Sequence, residues 1–268
     1  MTTRRSFLLR DTPAFALGST AILAGQASTV AGRAEASPAP LFEFATLRLQ
    51  MGGQVRRCLE WLEKHAMPLF QKHRFGPVGF FTVDVGPHIP SVLGIFTYPS
   101  FAAQEAAWAS LHADTDWAAS FAELEKDEPA FYRGDSILLG ATPFSPPLKA
   151  AAPGDPTHKV FELRIYEAPT RRQLEYLHER FAGGEIDLFH KSGIHPLLYA
   201  DTIIGPNKPN MAYLIPFESE AHREKAWSAF RENPDWQRLR DESIRRGGEI
   251  VRNITNMLLV PASFSMVR

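Results

Sequence analysis

One cysteine, Cys58, stands among 268 residues. A lone thiol excludes an internal disulfide and any multi-cysteine metal site, and its expected place is the core. Clustered basic charge is also missing. Formal net charge is −1, and no Lys/Arg-rich stripe runs along the chain, so a nucleic-acid partner is excluded. No "GxxxxGK" loop, dinucleotide fingerprint, "GxSxG" elbow or "HExxH" pair occurs. That counts against the common NTPase, dehydrogenase and hydrolase classes. The nine histidines form no two-carboxylate-one-histidine pattern, so neither a metal nor another cofactor is expected.

What is present begins with an address. "TTRRSFLLR" sets Arg4 and Arg5 ahead of Phe7, Leu8 and Leu9; a mildly apolar run follows from Ala14 to Gly25, then small residues in "AEAS" at Ala34 to Ser37. The order resembles a bacterial twin-arginine export signal over residues 1–36, which implies a periplasmic or secreted protein. The uncharged run Thr12 to Gly32 is long enough to span a bilayer. Its Gly, Ser, Thr and Gln content makes it a poor permanent anchor, so no stable span is expected after processing.

The rest reads as one unit written twice. "WASLHADTDW" from Trp108 and "WSAFRENPDW" from Trp227 stand 119 residues apart. At that offset Phe42-Glu43 meets Phe161-Glu162, Leu69-Phe70 meets Leu188-Phe189, and Gly86-Pro87 meets Gly205-Pro206. Near the ends the offset slips by one, where Phe144-Ser145 meets Phe264-Ser265. A sustained offset marks internal repetition. Each unit, 41–145 and 158–268, is expected to run β-α-β-β-α-β, with 146–157 as a Pro/Ala-rich semi-rigid linker. Helices then cover one sheet face and the other needs a partner. The fold class is α+β: tandem ferredoxin-like units forming an α-β barrel of the dimeric type. The units pair within one chain or with a second copy; the sequence leaves both open. The tryptophan pairs read as helix-side packing, each with apolar neighbours three or four residues on.

"FELRIYEAP" from Phe161, "IIGPNKPNMAYLIPFES" from Ile203 and "AWSAFRENPDWQRLRDES" from Ala226 together resemble the NIPSNAP family. Residues 42–145 follow it more loosely. The resemblance implies a dimeric α-β barrel and a pocket, with no agreed reaction. The wider barrel group includes cofactor-free monooxygenases and haem enzymes, an analogy of fold alone.

Candidate site residues follow from strand alternation. On "FELRIYE" Arg164 and Tyr166 share a face with Glu162, while Leu163 and Ile165 point the other way. With the leucine and isoleucine toward the helices, Arg164 and Tyr166 are expected in the interior between units. There they would hold a small apolar or aromatic ligand with an anionic or carbonyl group. The alternative is an ion pair of Arg164 with Glu162. Tyr199 and Asp201 share a face of the next strand, Asp201 as a base or a strand-end cap, and Tyr213 completes the ligand-binding set. The first-ranked function is a small-molecule-binding or protein-interaction module. Its competitor is a cofactor-free monooxygenase-like or isomerase-like enzyme using Arg164, Tyr199 and Asp201. A haem protein using His195 ranks third.

Overall fold

A computed structural model describes residues 39–152 and 158–268. The export-signal segment and part of the linker lie outside them. In the first half β1 (Leu41–Arg48) leads into α1 (Gly53–Trp61), a π-helical turn (Leu62–Ala66) and α2 (Met67–Lys72). Strands β2 (Gly79–Val85) and β3 (Ser91–Tyr98) follow, then α3 (Phe101–His112), α4 (Thr115–Leu124) and β4 (Arg133–Ala141). The second half repeats the order: β5 (Val160–Glu167), α5 (Arg171–Arg180), a π-helical turn (Phe181–Glu185) and α6 (Ile186–Lys191). It continues with β6 (Leu198–Ile204), β7 (Asn210–Phe217), α7 (Glu220–Glu232), α8 (Pro234–Gly247) and β8 (Asn253–Pro261).

Local chemistry explains the breaks. Ser100, Thr170 and Ser219 cap α3, α5 and α7, each accepting the backbone N–H three residues on. Such caps satisfy donors that the first helical turn leaves free. The long helical stretches after them are interrupted at matching places. Asp114 and Asn233 sit in extended backbone and cap new helices by accepting from Asp116 and Asp235. Pro234 then opens α8, where its missing N–H costs nothing.

Eight strands among the described residues close into one antiparallel barrel, in the order β1-β3-β2-β8-β5-β7-β6-β4. Closure therefore happens within one chain. Each half contributes four consecutive strands, and two seams join them, β2 to β8 and β4 to β6. Both seams carry a register shift, at Val83/Val85 and at Leu138/Leu139. Inside each half the pairing is regular, for example Arg164 opposite Tyr213 and Tyr199 opposite Tyr213 on β7's two sides.

Strand alternation sorts side chains into three cores. Phe42, Phe44, Phe81, Ile95, Phe161, Leu163, Leu198, Leu214 and Leu259 point inward and fill the barrel. The outward face of the first half packs on α1 to α4, and that of the second half on α5 to α8. This reverses the expected facing of β5. Leu163 and Ile165 line the barrel interior, while Glu162, Arg164 and Tyr166 lie under the helices. The reason is steric and hydrophobic: an eight-stranded barrel is just wide enough for side chains to fill, and here aromatic and aliphatic ones do so. The described residues of the linker cross one barrel end, where Leu148 inserts into the interior core and Ala151 donates to the Met266 carbonyl at 2.7 Å. No helix among the described residues is long and apolar enough to cross a membrane.

Candidate functional site

Beneath the helices of the second half lies a buried polar cluster built on β5. Glu162 is fully buried. Its carboxylate accepts from Arg164 Nη1 at 2.8 Å, Arg223 Nε at 2.7 Å and the Trp227 indole N–H at 2.7 Å. A buried carboxylate survives only when paired and hydrogen-bonded on most of its lone pairs, and these three donors do that. Burial alone would raise its pKa, but the bonds from Arg223 and Arg164 outweigh it, holding Glu162 below the ordinary glutamate value. Arg164 also donates to the Tyr166 hydroxyl at 3.3 Å and lies 4.5 Å over the Trp227 ring.

Further along the face the rings of Tyr166, Tyr213, Tyr199 and Phe181 meet edge to face or tilted at 5.2–6.2 Å. Tyr199 and Tyr213 are buried to within 1% of full coverage, and neither hydroxyl has a hydrogen-bond partner. Arg164 Nε is equally unpartnered. Leaving a buried donor unmade costs about 1–3 kcal/mol. Burial, with the Glu185 carboxylate nearby, pushes the Tyr199 phenol well above the usual tyrosine range, so it stays protonated. Glu185 ends the π-helical turn, is itself buried, and pairs with Arg180 Nε at 2.7 Å. Arg180 in turn stacks 5.1 Å over Trp236.

At the same places 119 residues earlier, the first half is apolar. Ala45, Leu47, Trp61, Ala66 and Phe80 stand where Arg164, Tyr166, Arg180, Glu185 and Tyr199 stand later. Gly94 replaces Tyr213, and a Cβ there would meet the Phe80 ring at 3.0 Å. Trp61 packs on Trp117 at 5.2 Å, with both indole N–H groups unpartnered. The one polar feature retained is Glu43, which accepts from Tyr98, Gln104, Trp108 and Ser136, all neutral donors.

The structure thus brings Arg164, Tyr166, Tyr199 and Tyr213 together, although under the helices and not between the halves. Asp201 stands apart from Arg164. It is one-third exposed and lies 2.9 Å from His178 Nε2, beside Phe144. His195 is exposed and stacks on His190 at 5.0 Å. It lines a groove of about 410 Å³ at the linker end of the barrel, with Lys149, His158 and Arg268. Among the described residues no group of three or more His, Cys, Asp or Glu could hold a metal ion. Sequence reasoning had the ion pair of Arg164 with Glu162, which forms at 2.8 Å, but missed the further partners that make Glu162 a hub, together with Arg180, Glu185, Arg223 and His178. It also read the tryptophans as packing alone, whereas Trp108 and Trp227 each donate to the buried glutamate of their half. The signal was present: Glu43 and Glu162 recur at the same offset as the tryptophans.

Comparison with known proteins places this architecture. A monooxygenase-like protein from Lactobacillus acidophilus NCFM superposes with a TM-score of 0.54 at 15% identity, covering 84% of this chain and 95% of that one. A second, from Fusobacterium nucleatum, gives 0.55 at 7% identity over 84% and 94%. An anthrone oxidase-like protein gives 0.51 at 12% identity over 85% and 92%. At these identities the likeness is one of fold. No curated protein matches the sequence. The NIPSNAP family model matches twice, over residues 42–146 and 161–266, which is most of the chain. The chain therefore belongs to the NIPSNAP family.

Proposed function

We propose that this is an exported small-molecule-binding protein of two ferredoxin-like βαββαβ units that arose by duplication, with the ligand held under the helices of the second unit. The observation that carries the binding reading is the pair of buried, unpartnered hydroxyls of Tyr199 and Tyr213, set in an aromatic nest with Tyr166 and Phe181. Natural interiors satisfy nearly all such groups, so unsatisfied donors grouped on one face point to a missing partner. Two family-model matches and the repeated element order support duplication. Arg4-Arg5 and the run behind them support export to the periplasm or beyond.

A second reading, a cofactor-free oxygenase or isomerase, is favoured by one observation. His178 and Asp201 form a partly buried pair at 2.9 Å, and the first half has Leu59 and Thr82 there. A carboxylate that fixes one imidazole nitrogen leaves the other free to take a proton. The fold likeness to monooxygenase-like and anthrone oxidase-like proteins agrees with it by analogy. One experiment tests both. Native mass spectrometry of protein recovered from its export compartment should show one small molecule per chain, lost in Tyr199→Phe/Tyr213→Phe. Repeated recovery of empty protein overturns binding. Incubated with the protein in air, the recovered molecule keeps its mass and its chromatographic retention if binding is the whole function; gain of one oxygen with loss of two hydrogens, the second oxygen atom leaving as water, supports the oxygenase, and unchanged mass with altered retention supports the isomerase.

A further inference from the structure

We propose a second, separate site in the first half, where Ser110, His73 and Asp114 act as nucleophile, base and orienting acid and transfer the acyl group of small activated esters to water. Three helices bring them together. His73 follows the last residue of α2, Ser110 stands in the last turn of α3, and Asp114 caps α4. The serine Oγ lies 2.7 Å from His73 Nδ1, and the Asp114 carboxylate lies 2.7 Å from His73 Nε2. Such a constellation is recognised by geometry and roles, whatever the chain order of its members. The lack of a "GxSxG" elbow therefore does not bear on it.

Each role follows from its neighbours. Asp114 Oδ2 also accepts from Lys72 Nζ at 2.7 Å, and its other oxygen accepts the Asp116 N–H at 2.9 Å. The bonds from Lys72 and then His73 hold its carboxyl well below the usual aspartate range, so it is a carboxylate at neutral pH. A carboxylate can only accept, so the neutral imidazole directs its N–H to it through Nε2. Nδ1 then carries the lone pair, and Ser110 donates to it. That choice sets Ser110 apart. Ser120, Ser192 and Ser243, in or at the end of other helices, each donate to a carbonyl three or four residues back, the usual local bond of helical serine. Ser110 is turned onto the imidazole instead, and it is exposed, so an ester can reach it. The His73 and Asp114 side chains are only 10% and 6% exposed.

The reaction balances on these groups. Ser110 Oγ attacks the ester carbonyl carbon while its proton passes to His73 Nδ1. The bond from that carbon to the alkoxy oxygen breaks, and the proton leaves with the alcohol. Water then attacks the acyl-serine and gives a proton to Nδ1, which returns it to Ser110 as the carboxylic acid departs. The cation bonded into the cluster is Lys72, 57% exposed and held on the acid, so charge on the carbonyl oxygen is left mainly to solvent. One preorganised oxyanion donor is worth about 10²–10³-fold in rate. Its lack restricts the substrates to esters with good leaving groups. In the second half Ser192, Ala229 and Asn233 stand at the places of His73, Ser110 and Asp114. One site per chain follows.

Hydrolysis of p-nitrophenyl acetate by the full chain tests this, with peptide mass spectrometry of acid-quenched samples locating the acetyl group. Ser110 should carry one acetyl, and the parent should turn the ester over at least about tenfold faster than Ser110→Ala or His73→Gln, since a positioned base contributes about 10²–10⁴-fold. Ser110→Ala removes one exposed hydroxyl and should melt with the parent, which separates lost chemistry from lost folding. Asp114→Asn keeps a capping side chain, as Asn233 does on α8, and removes the charge. It should lower the rate and also move down the pH at which the rate levels off, because the imidazole loses its proton more readily without the carboxylate. An aspartate that serves only the fold would leave that pH unchanged. A Ser110→Ala rate equal to the parent's, or acetyl found on Lys72 or His73 and never on Ser110, overturns the proposal. So does a single burst of one p-nitrophenol per chain with no turnover after it.

Discussion

Glu43 and Glu162 occupy equivalent strand positions yet are neutralised by different chemistry. Glu43 accepts from four neutral donors, Glu162 from two guanidinium groups and an indole. Removing the Glu162 charge leaves Arg164 and Arg223 without their counter-ion, and breaking such a buried pair costs about 3–5 kcal/mol. Glu162→Gln should therefore lose that much in urea unfolding at neutral pH, and Glu43→Gln only about 1–2 kcal/mol. The pH dependence has a definite sign. The folded Glu162 carboxyl titrates below its ordinary value of 4.5, so its contribution is present above that pH and lost as pH falls through the folded value. Urea midpoints across the acid range should drop less steeply in Glu162→Gln than in the parent; equal slopes would contradict the assignment. At this scale Arg164 and Tyr166 were legible from the alternation of "FELRIYE". Which face they occupied was not, because a period of two separates faces without saying which one meets helices.

At the scale of elements, most boundaries were legible because caps and breakers are local. Asn233-Pro234 and Asp114-Thr115 stop one helix and start the next just where side-chain oxygens meet free N–H groups. Asn233→Ala should cost about 1 kcal/mol, the usual price of an N-cap, seen as a fall of about 2–4 °C in Tm. No change in Tm would show that α8 starts without the cap. Asp114→Ala should lower Tm further, because Asp114 also binds Lys72 and His73 at 2.7 Å and so ties α2 to α4. The π-helical turns were not legible. A wide turn adds one residue without disturbing the three- and four-residue spacing of apolar positions. Yet one of them carries Glu185 into the cluster.

At the scale of the molecule, the barrel interior is what neither half can supply alone. Phe161, Leu163, Leu198, Leu214 and Leu259 are at most 1% exposed, and all face inward onto the other half's strands. Residues 158–268 expressed by themselves would show that face to water, a patch that soluble proteins rarely expose. If the halves are duplicated units, this segment should form a dimer in which β6 of each copy pairs with β8 of the other, as the seams do in the full chain. Light scattering coupled to size exclusion reads the mass directly. A folded monomer would contradict the prediction.

By itself the sequence determined the repeat, the element order, the helix breaks and the aromatic and arginine content of the second half. All of these follow from local spacing, capping chemistry and comparison of the chain with itself. Only the tertiary structure decided that the barrel closes within one chain, that its interior is packed, and that the polar cluster lies beneath helices α5 to α8. Those outcomes depend on which of two buried faces meets which partner, and that is settled by contacts between residues far apart in the chain.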